Sequence, residues 1–230
     1  MFRGQTLSIV LTPQPDPGPV LDEFRASPLV DEVLLVAGPT GDSAAVLGEA
    51  AGVRVIREAS PYFGNALVTG MGRAKGEILV SVSGPECRAR DLEKLLVLLE
   101  DGELAIGTRT RKGVTSFVRR WTNLAIAKLL QTLWLVPHEP RLTDVTCGFR
   151  AIRRENWQRI RHGVGASPAA CWTGMVCTAL TSGCRVVEAP VSSQRSHGES
   201  RREVFGRDPA TLPTVLVILR RRLWPAQKPT

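Results

Sequence analysis

The sequence predicts an α/β protein: a mainly parallel sheet with helices packed on both faces. Three observations carry that prediction. Short apolar runs rich in Val, Leu and Ile recur along the first half, stretches of helical spacing separate them, and Gly- or Pro-containing turns mark the joins. Such strands are buried on both faces, and the helices between them return the chain to the same end of the sheet through right-handed crossovers.

Leu7-Ser-Ile-Val-Leu11 is the first strand, closed by the Pro-rich turn Thr12–Pro19, and Val20–Ala26 is the first helix. Glu32-Val-Leu-Leu-Val36 is the second strand and runs into Ala-Gly-Pro-Thr-Gly-Asp42; Ser43–Ala51 follows as a helix and Val53–Ile56 as the third strand. A helix over Asn65–Ala74 stops at Gly76, ahead of a fourth strand at Ile78–Val82. Arg90–Glu100 has the spacing of an amphipathic helix, and Leu104-Ala-Ile-Gly107 is a fifth strand. Ligands of such sheets sit beyond the carboxyl ends of the strands. Functional residues are therefore expected after Leu11, Val36, Val82 and Gly107.

The second half has a different character. Ser116–Leu135 is a long helix, basic at its start with Arg119 and Arg120 and apolar later. Asp144–Arg153 is a compact segment of mixed polarity, Met175–Ser182 a helix, Arg185–Val191 an extended run, and Ser192–Asp208 polar and basic. No repeat, low-complexity tract or linker interrupts it. The expected division is one domain over 1–208, with halves meeting near 110, and a basic amphipathic segment over 209–230.

With 230 residues, 43% apolar and 23% charged, the chain can bury a substantial core. Its net charge of +8 favours an acidic partner: nucleic acid, anionic lipid headgroups or phosphorylated small molecules. Aromatics make up only 5%, with Tyr62 the single tyrosine, and no known nucleic-acid-binding motif is present, so nucleic acid is not the expected partner. Cys87, Cys147, Cys171, Cys177 and Cys184 are irregularly spaced without a C-x-x-C pair, which reads as buried thiols in a reducing compartment. No apolar run approaches the roughly eighteen residues of a membrane span, and Leu7–Leu11 is too short for a signal peptide. Gly70-Met-Gly-Arg-Ala-Lys-Gly76 has the wrong spacing for a dinucleotide loop, and no P-loop or nucleophile elbow occurs.

Asp144-Val-Thr-Cys-Gly-Phe-Arg-Ala-Ile-Arg-Arg-Glu155 resembles the D-x-x-C-G-F-[RK]-x-[FI]-[RK]-R-E signature of polyprenyl-phosphate mannose and glucose synthases, in glycosyltransferase family 2. Upstream, Ala105-Ile-Gly-Thr-Arg109 resembles V-I-G-[ST]-R. Downstream, Val187-Glu-Ala-Pro-Val191 and then Arg195-Ser-His-Gly-Glu-Ser-Arg201 resemble E-V-P-[VI] and R-x-x-G-x-S-[KR]. The motifs stand in the family's order and, with the strand plan, cover about residues 6–205. The resemblance implies an A-type glycosyltransferase fold with a Rossmann-like sheet, a donor-side half over about 1–110 and an acceptor-side half over about 111–208. It implies transfer of a hexose from a nucleotide sugar to a polyprenyl-phosphate-like or other phosphorylated acceptor.

By that resemblance Asp144 is the catalytic carboxylate, facing sugar or acceptor; from the residue alone it reads equally as a turn or N-cap aspartate. Arg109, Arg195, Ser200 and Arg201 fall where the donor diphosphate and acceptor phosphate would be held, and guanidinium forks suit phosphate oxygens. Cys147 and Phe149 read as packing, and His197 as a solvated loop histidine.

The donor side departs from the family. Its P-[TA]-Y-N-E loop is Thr12-Pro-Gln-Pro-Asp16, which keeps only the acid, Asp16. V-D-D-G-S-x-D becomes Val36-Ala-Gly-Pro-Thr-Gly-Asp42, with Ala37 and Gly38 at the base- and ribose-holding aspartates and Asp42 remaining. N-x-G-[KR]-G becomes Ser60-Pro-Tyr-Phe-Gly64. The D-x-D that would hold a divalent metal, Mg or Mn, is Ser83-Gly84-Pro85, with Glu86 beside it as a lone candidate ligand. Three outcomes stay open: transfer without metal, with Arg109, Arg195 and Arg201 offsetting the diphosphate charge; a displaced acid such as Asp16, Asp42 or Glu86 holding a metal; or a catalytically silent relative that binds or regulates a partner.

Arg109, Arg111, Lys112, Arg119 and Arg120 lie near Trp121 and Trp134, and Arg220-Arg-Arg222 precedes Trp224. Basic residues beside apolar and indole side chains suit an anionic membrane surface; the alternative is that the apolar faces pack on the core. The expected location is cytoplasmic, peripheral at the inner membrane face.

Overall fold

The computed structural model describes residues 1–14, 16–40, 42–84, 87–109, 117–133 and 142–192, with side chains left aside at 42–44, 117–123 and 169. The chain runs β1 (Leu7–Leu11), α1 (Gly18–Arg25), β2 (Glu32–Ala37), α2 (Asp42–Ala50), β3 (Arg54–Arg57), α3 (Phe63–Arg73), β4 (Ile78–Val82), α4 (Leu92–Leu98), β5 (Leu104–Arg109), α5 (Phe117–Leu133), β6 (Arg150–Arg153), α6 (Arg154–Ile160), α7 (Pro168–Thr181) and β7 (Val186–Val191). The seven strands form one sheet in the order β3-β2-β1-β4-β6-β5-β7. Every neighbouring pair is parallel except those made by β6, which runs antiparallel to β4 and β5.

The two central strands are buried throughout, which is why they appear as unbroken apolar runs. Ser8 is the one polar residue of β1, and its hydroxyl is satisfied twice: it donates to Glu32 Oε2 at 2.6 Å and accepts from Gly76 N at 2.7 Å. On α1, Val20, Leu21 and Phe24 face inward, and the Phe24 ring meets Phe149 edge-on at 5.9 Å. Gly70 lies where α3 presses on the sheet; a Cβ there would come within 2.6 Å of Val10 and Val36, so close packing accounts for it.

Three elements differ from expectation. The helix expected over Arg90–Glu100 is a 3-10 turn at Ala89–Asp91 followed by the shorter α4. The compact segment ending at Arg153 contains β6, and α6 follows at once. The helix expected from Met175 begins seven residues earlier at Pro168, where the Ser167 hydroxyl accepts from Ala170 N at 3.3 Å. Cys171, Trp172, Thr173, Met175, Val176, Cys177 and Ala179 are all buried on it, so it lacks the one-sided pattern that marks a surface helix. All five cysteines are buried, and Cys147 and Phe149 are core residues, as the sequence suggested. Among the described residues, no helix is long and apolar enough to cross a membrane.

Candidate functional site

Reversing one strand places the signature at the functional edge. Because β6 is antiparallel, its N-terminal end lies beside the carboxyl ends of β4 and β5, with Arg150 in register with Ser81 and Ile106. The segment ahead of it is pinned on both sides: Gly107 N donates to Phe149 O at 2.8 Å, and the Ser81 hydroxyl donates to Gly148 O at 3.0 Å. Asp144 and its neighbours therefore meet Arg109 at the end of β5.

The contact is bidentate. Arg109 Nε donates to Asp144 Oδ2 at 2.6 Å, and Nη2 donates to Oδ1 at 2.8 Å and to the Thr146 hydroxyl at 2.9 Å. Thr146 in turn donates to Asp144 Oδ1 at 3.0 Å. The two side chains are only 10% and 7% exposed, so the pair lies in a partly desolvated setting where such geometry counts. Burial opposes ionisation of Asp144, yet the Arg109 hydrogen bonds and charge outweigh it and hold the carboxyl below the ordinary aspartate range. Asp144 also heads a turn, its carbonyl accepting from Cys147 N at 3.3 Å, as the turn reading of the residue expects.

A second carboxylate supports the loop from behind. Glu188 of β7 accepts from Thr143 N at 2.8 Å, the Thr143 hydroxyl at 2.7 Å and Asp144 N at 3.1 Å. Burial pushes its pKa up, against those hydrogen bonds. Arg150 fixes the far side. Fully buried, it donates through Nε to Cys147 O at 2.8 Å and through Nη1 to Trp172 O at 3.0 Å, reaches Val145 O as well, and stacks 4.8 Å from the Trp172 ring centroid. Burial lowers its pKa to about 10, which leaves it a cation at neutral pH. Sequence reasoning assigned neither residue a role, although Glu188 is a charged residue in an otherwise apolar strand and Arg150 lies inside the signature.

The loops after β1 and β4 meet at the topological switch point, where β2 and β4 flank β1. Thr12 donates to Val82 O through N at 3.1 Å and through its hydroxyl at 3.3 Å, and Gln14 Oε1 accepts from Gly84 N at 2.9 Å. Asp16 is exposed there, and its Oδ1 accepts from Gly18 N at 3.4 Å as α1 begins. Asp42 opens α2, its side chain outside the description. Glu86, Arg195, Ser200 and Arg201 lie outside the described residues, as do most of the basic and indole positions read as a membrane surface. The chain entering 193–200 is anchored by buried Asp91, which accepts from Ser192 N at 2.7 Å and from Lys94 Nζ at 2.6 Å.

Ser83 and Gly84, the described residues of the β4 loop, bring no carboxylate to it. Ser83 is packed so closely on Gly148 that a Cβ on that glycine would come within 2.5 Å of it, and Gly84, at φ +109, contributes backbone only. Among the described residues, no group of three His, Cys, Asp or Glu side chains is placed to hold a metal.

No family model matches the chain. Over 114 residues, 48% of its length, it is 31% identical to the polyprenol monophosphomannose synthase of Mycolicibacterium smegmatis, of which it spans 43%, less than half. In structure it is similar to glucosyl-3-phosphoglycerate synthase from Mycobacterium tuberculosis in complex with Mn2+, uridine diphosphate and phosphoglyceric acid, with a TM-score of 0.74 and 18% identity over 97% of this chain and 81% of that one. The same enzyme with Mg2+ and uridine diphosphate matches at a TM-score of 0.73 and 17% identity, covering 97% and 82%. The chain thus has the A-type glycosyltransferase fold of these enzymes, and it is similar to glycosyltransferases in sequence as well.

Proposed function

We propose that the chain is a glycosyltransferase that moves a hexose from a nucleotide sugar to a phosphorylated, polyprenyl-phosphate-like acceptor, without a D-x-D metal site. The observation that carries this reading is the buried Arg109–Asp144 fork at the carboxyl edge of the sheet. In the transfer, an acceptor oxygen forms a bond to the anomeric carbon as the bond from that carbon to the diphosphate oxygen breaks. Asp144, held ionised, orients the acceptor and stabilises positive charge growing on the sugar. Arg109 holds that carboxylate ionised and in place, and its guanidinium charge is assigned to the phosphate side. Asp16 and Asp42 belong to the proposed donor side, and Arg195, Ser200 and Arg201 are assigned to phosphate binding by their motif. The synthase names support the acceptor: one relative makes a polyprenol monophosphomannose, and the structural neighbour binds a phosphoglyceric acid. Peripheral attachment to a membrane surface follows from such a lipid acceptor.

The reading is tested by incubating the chain with UDP-glucose or GDP-mannose and a short-chain polyprenyl phosphate and following labelled hexose into lipid. Asp144→Asn should lower transfer by about 100- to 1,000-fold while nucleotide binding persists; unchanged turnover removes Asp144 from the mechanism. A second reading, a silent relative that binds or regulates a partner, draws on Ala37, Gly38 and Ser83 at the donor edge. Absence of any response to UDP-, GDP- and dTDP-sugars would favour it.

A further inference from the structure

We propose that Gln14 is a donor-side positioning residue that clasps the β4 loop and receives a metal-free nucleoside diphosphate. Gly84 N–H can only donate, so the oxygen of the Gln14 amide must face it, at 2.9 Å, and the nitrogen must point elsewhere. That nitrogen is buried and has no hydrogen-bond partner among the described residues. A buried N–H without an acceptor is costly, and in native proteins it marks a place where something else supplies one. The place is the switch point between β1 and β4, and the neighbouring Pro13 lies 4.0 Å from where a Cβ on Gly38 would be, so this loop touches both donor segments. Among the described residues, the bonds between these two loops are neutral, made by the Thr12 amide and hydroxyl, the Val82 carbonyl, the Gly84 amide and the Gln14 amide. The Arg88–Glu23 ion pair lies further on, where the chain meets α1. Carboxylates at an edge demand a cation between themselves and a diphosphate. An amide N–H instead bonds a phosphate or ribose oxygen directly.

The inference rests on the nucleotide-sugar reading, and its test separates the two. UDP and GDP are titrated calorimetrically into the full chain in EDTA and in MnCl2, with wild type, Gln14→Leu and Gln14→Glu. EDTA should leave wild-type affinity unchanged, and Gln14→Leu should lower it about tenfold, the worth of one good hydrogen bond. Gln14→Glu still accepts from Gly84 N but offers a negative charge, so it should bind weakly in EDTA and recover with Mn2+. Independently of any ligand, hydrogen exchange at the Gly84 amide should quicken in Gln14→Leu and not in Gln14→Glu. Wild-type binding that disappears in EDTA, or Gln14→Leu binding as tightly as wild type, overturns the ligand role. Unchanged Gly84 exchange in Gln14→Leu overturns the clasp. If neither nucleotide binds wild type, the donor reading falls and the ligand role falls with it.

Discussion

The two ends of the sheet's carboxyl edge are built from opposite materials. On the side of β5, β6 and β7, four charged side chains are engaged by several hydrogen bonds each, Asp144 and Arg150 buried and Arg109 and Glu188 partly so. On the side of β1, β2 and β4, the corresponding positions hold Ala37, Gly38, Ser83 and Gly84, joined by amides and hydroxyls. Buried charges survive only when geometry compensates their lost hydration, so the first side is rigid and specific at considerable cost. The second carries no such obligation and tolerates change. In the proposed function the chemistry of transfer falls to the charged side and recognition by hydrogen bond to the neutral one.

The largest effect tests that assignment. Asp144→Asn keeps the shape but loses the charge and the bidentate ion pair with Arg109, and it should lower kcat by about 100- to 1,000-fold, the range for removing one preorganised electrostatic group. Arg109→Lys keeps the charge without the fork and should fall between that variant and wild type. Wild-type activity should persist at pH values below the ordinary aspartate range, because the folded-state pKa of Asp144 is depressed. The same pair stabilises the fold above that range, and its contribution is lost as pH falls through the depressed value. An acid limb in the usual aspartate range would contradict the ionised assignment.

Arg150→Met comes next. It strands the carbonyls of Val145, Cys147 and Trp172 in the core, and it should cost about 3 kcal/mol, since bonds to a charged donor are each worth roughly 1.5–3 kcal/mol and a Met fills part of the volume. Denaturant midpoints measure it. A variant as stable as wild type would mean that the hydrogen bonds of Arg150 only offset the cost of burying its charge.

Much of the neutral side was legible from sequence, and much of the charged side was not. β1 and β4 have the bounds read from their apolar runs, because strands buried on both faces advertise themselves locally. β6 did not, because Arg150 and Arg153 break its apolar character, and only pairing with β4 and β5, distant in sequence, makes it a strand. The same distance hid Glu188, whose partners Thr143 and Asp144 lie on another element. Motif resemblance placed Asp144 and Arg109 in one site without showing that they touch. Resemblance carries roles; the contact between those two side chains is a property of the folded chain.

Glu188 offers a smaller test with the opposite sign to Asp144. Burial raises its pKa, and the Asp144 charge adds to that, so the folded chain holds this proton more tightly than the unfolded one. Its contribution to stability is full below the ordinary glutamate range and is lost as pH rises through the raised folded value. Glu188→Gln cannot ionise, and its amide leaves one acceptor fewer for Thr143 and Asp144, a loss of about 1 kcal/mol. The wild-type advantage in denaturant midpoint should therefore be greatest at acid pH and shrink as pH rises. A constant advantage would mean that Glu188 titrates as an ordinary surface group.

Asp16 gives the smallest effect and the sharpest boundary between the two sides. Its one described bond, to Gly18 N at 3.4 Å, is long and solvent-exposed, and Pro13, Pro17 and Pro19 stiffen the loop without it. Removing the carboxylate should then cost no more than about 0.5 kcal/mol of stability. If the carboxylate serves the donor side by accepting from a ribose hydroxyl, Asp16→Ala should weaken nucleotide binding about three- to tenfold, the range of a single exposed hydrogen bond. Melting temperature and nucleotide Kd report the two roles separately. A falling melting temperature with unchanged Kd would make Asp16 a helix-start residue, and the donor side would then recognise its ligand through neutral groups and backbone, with no carboxylate at this position.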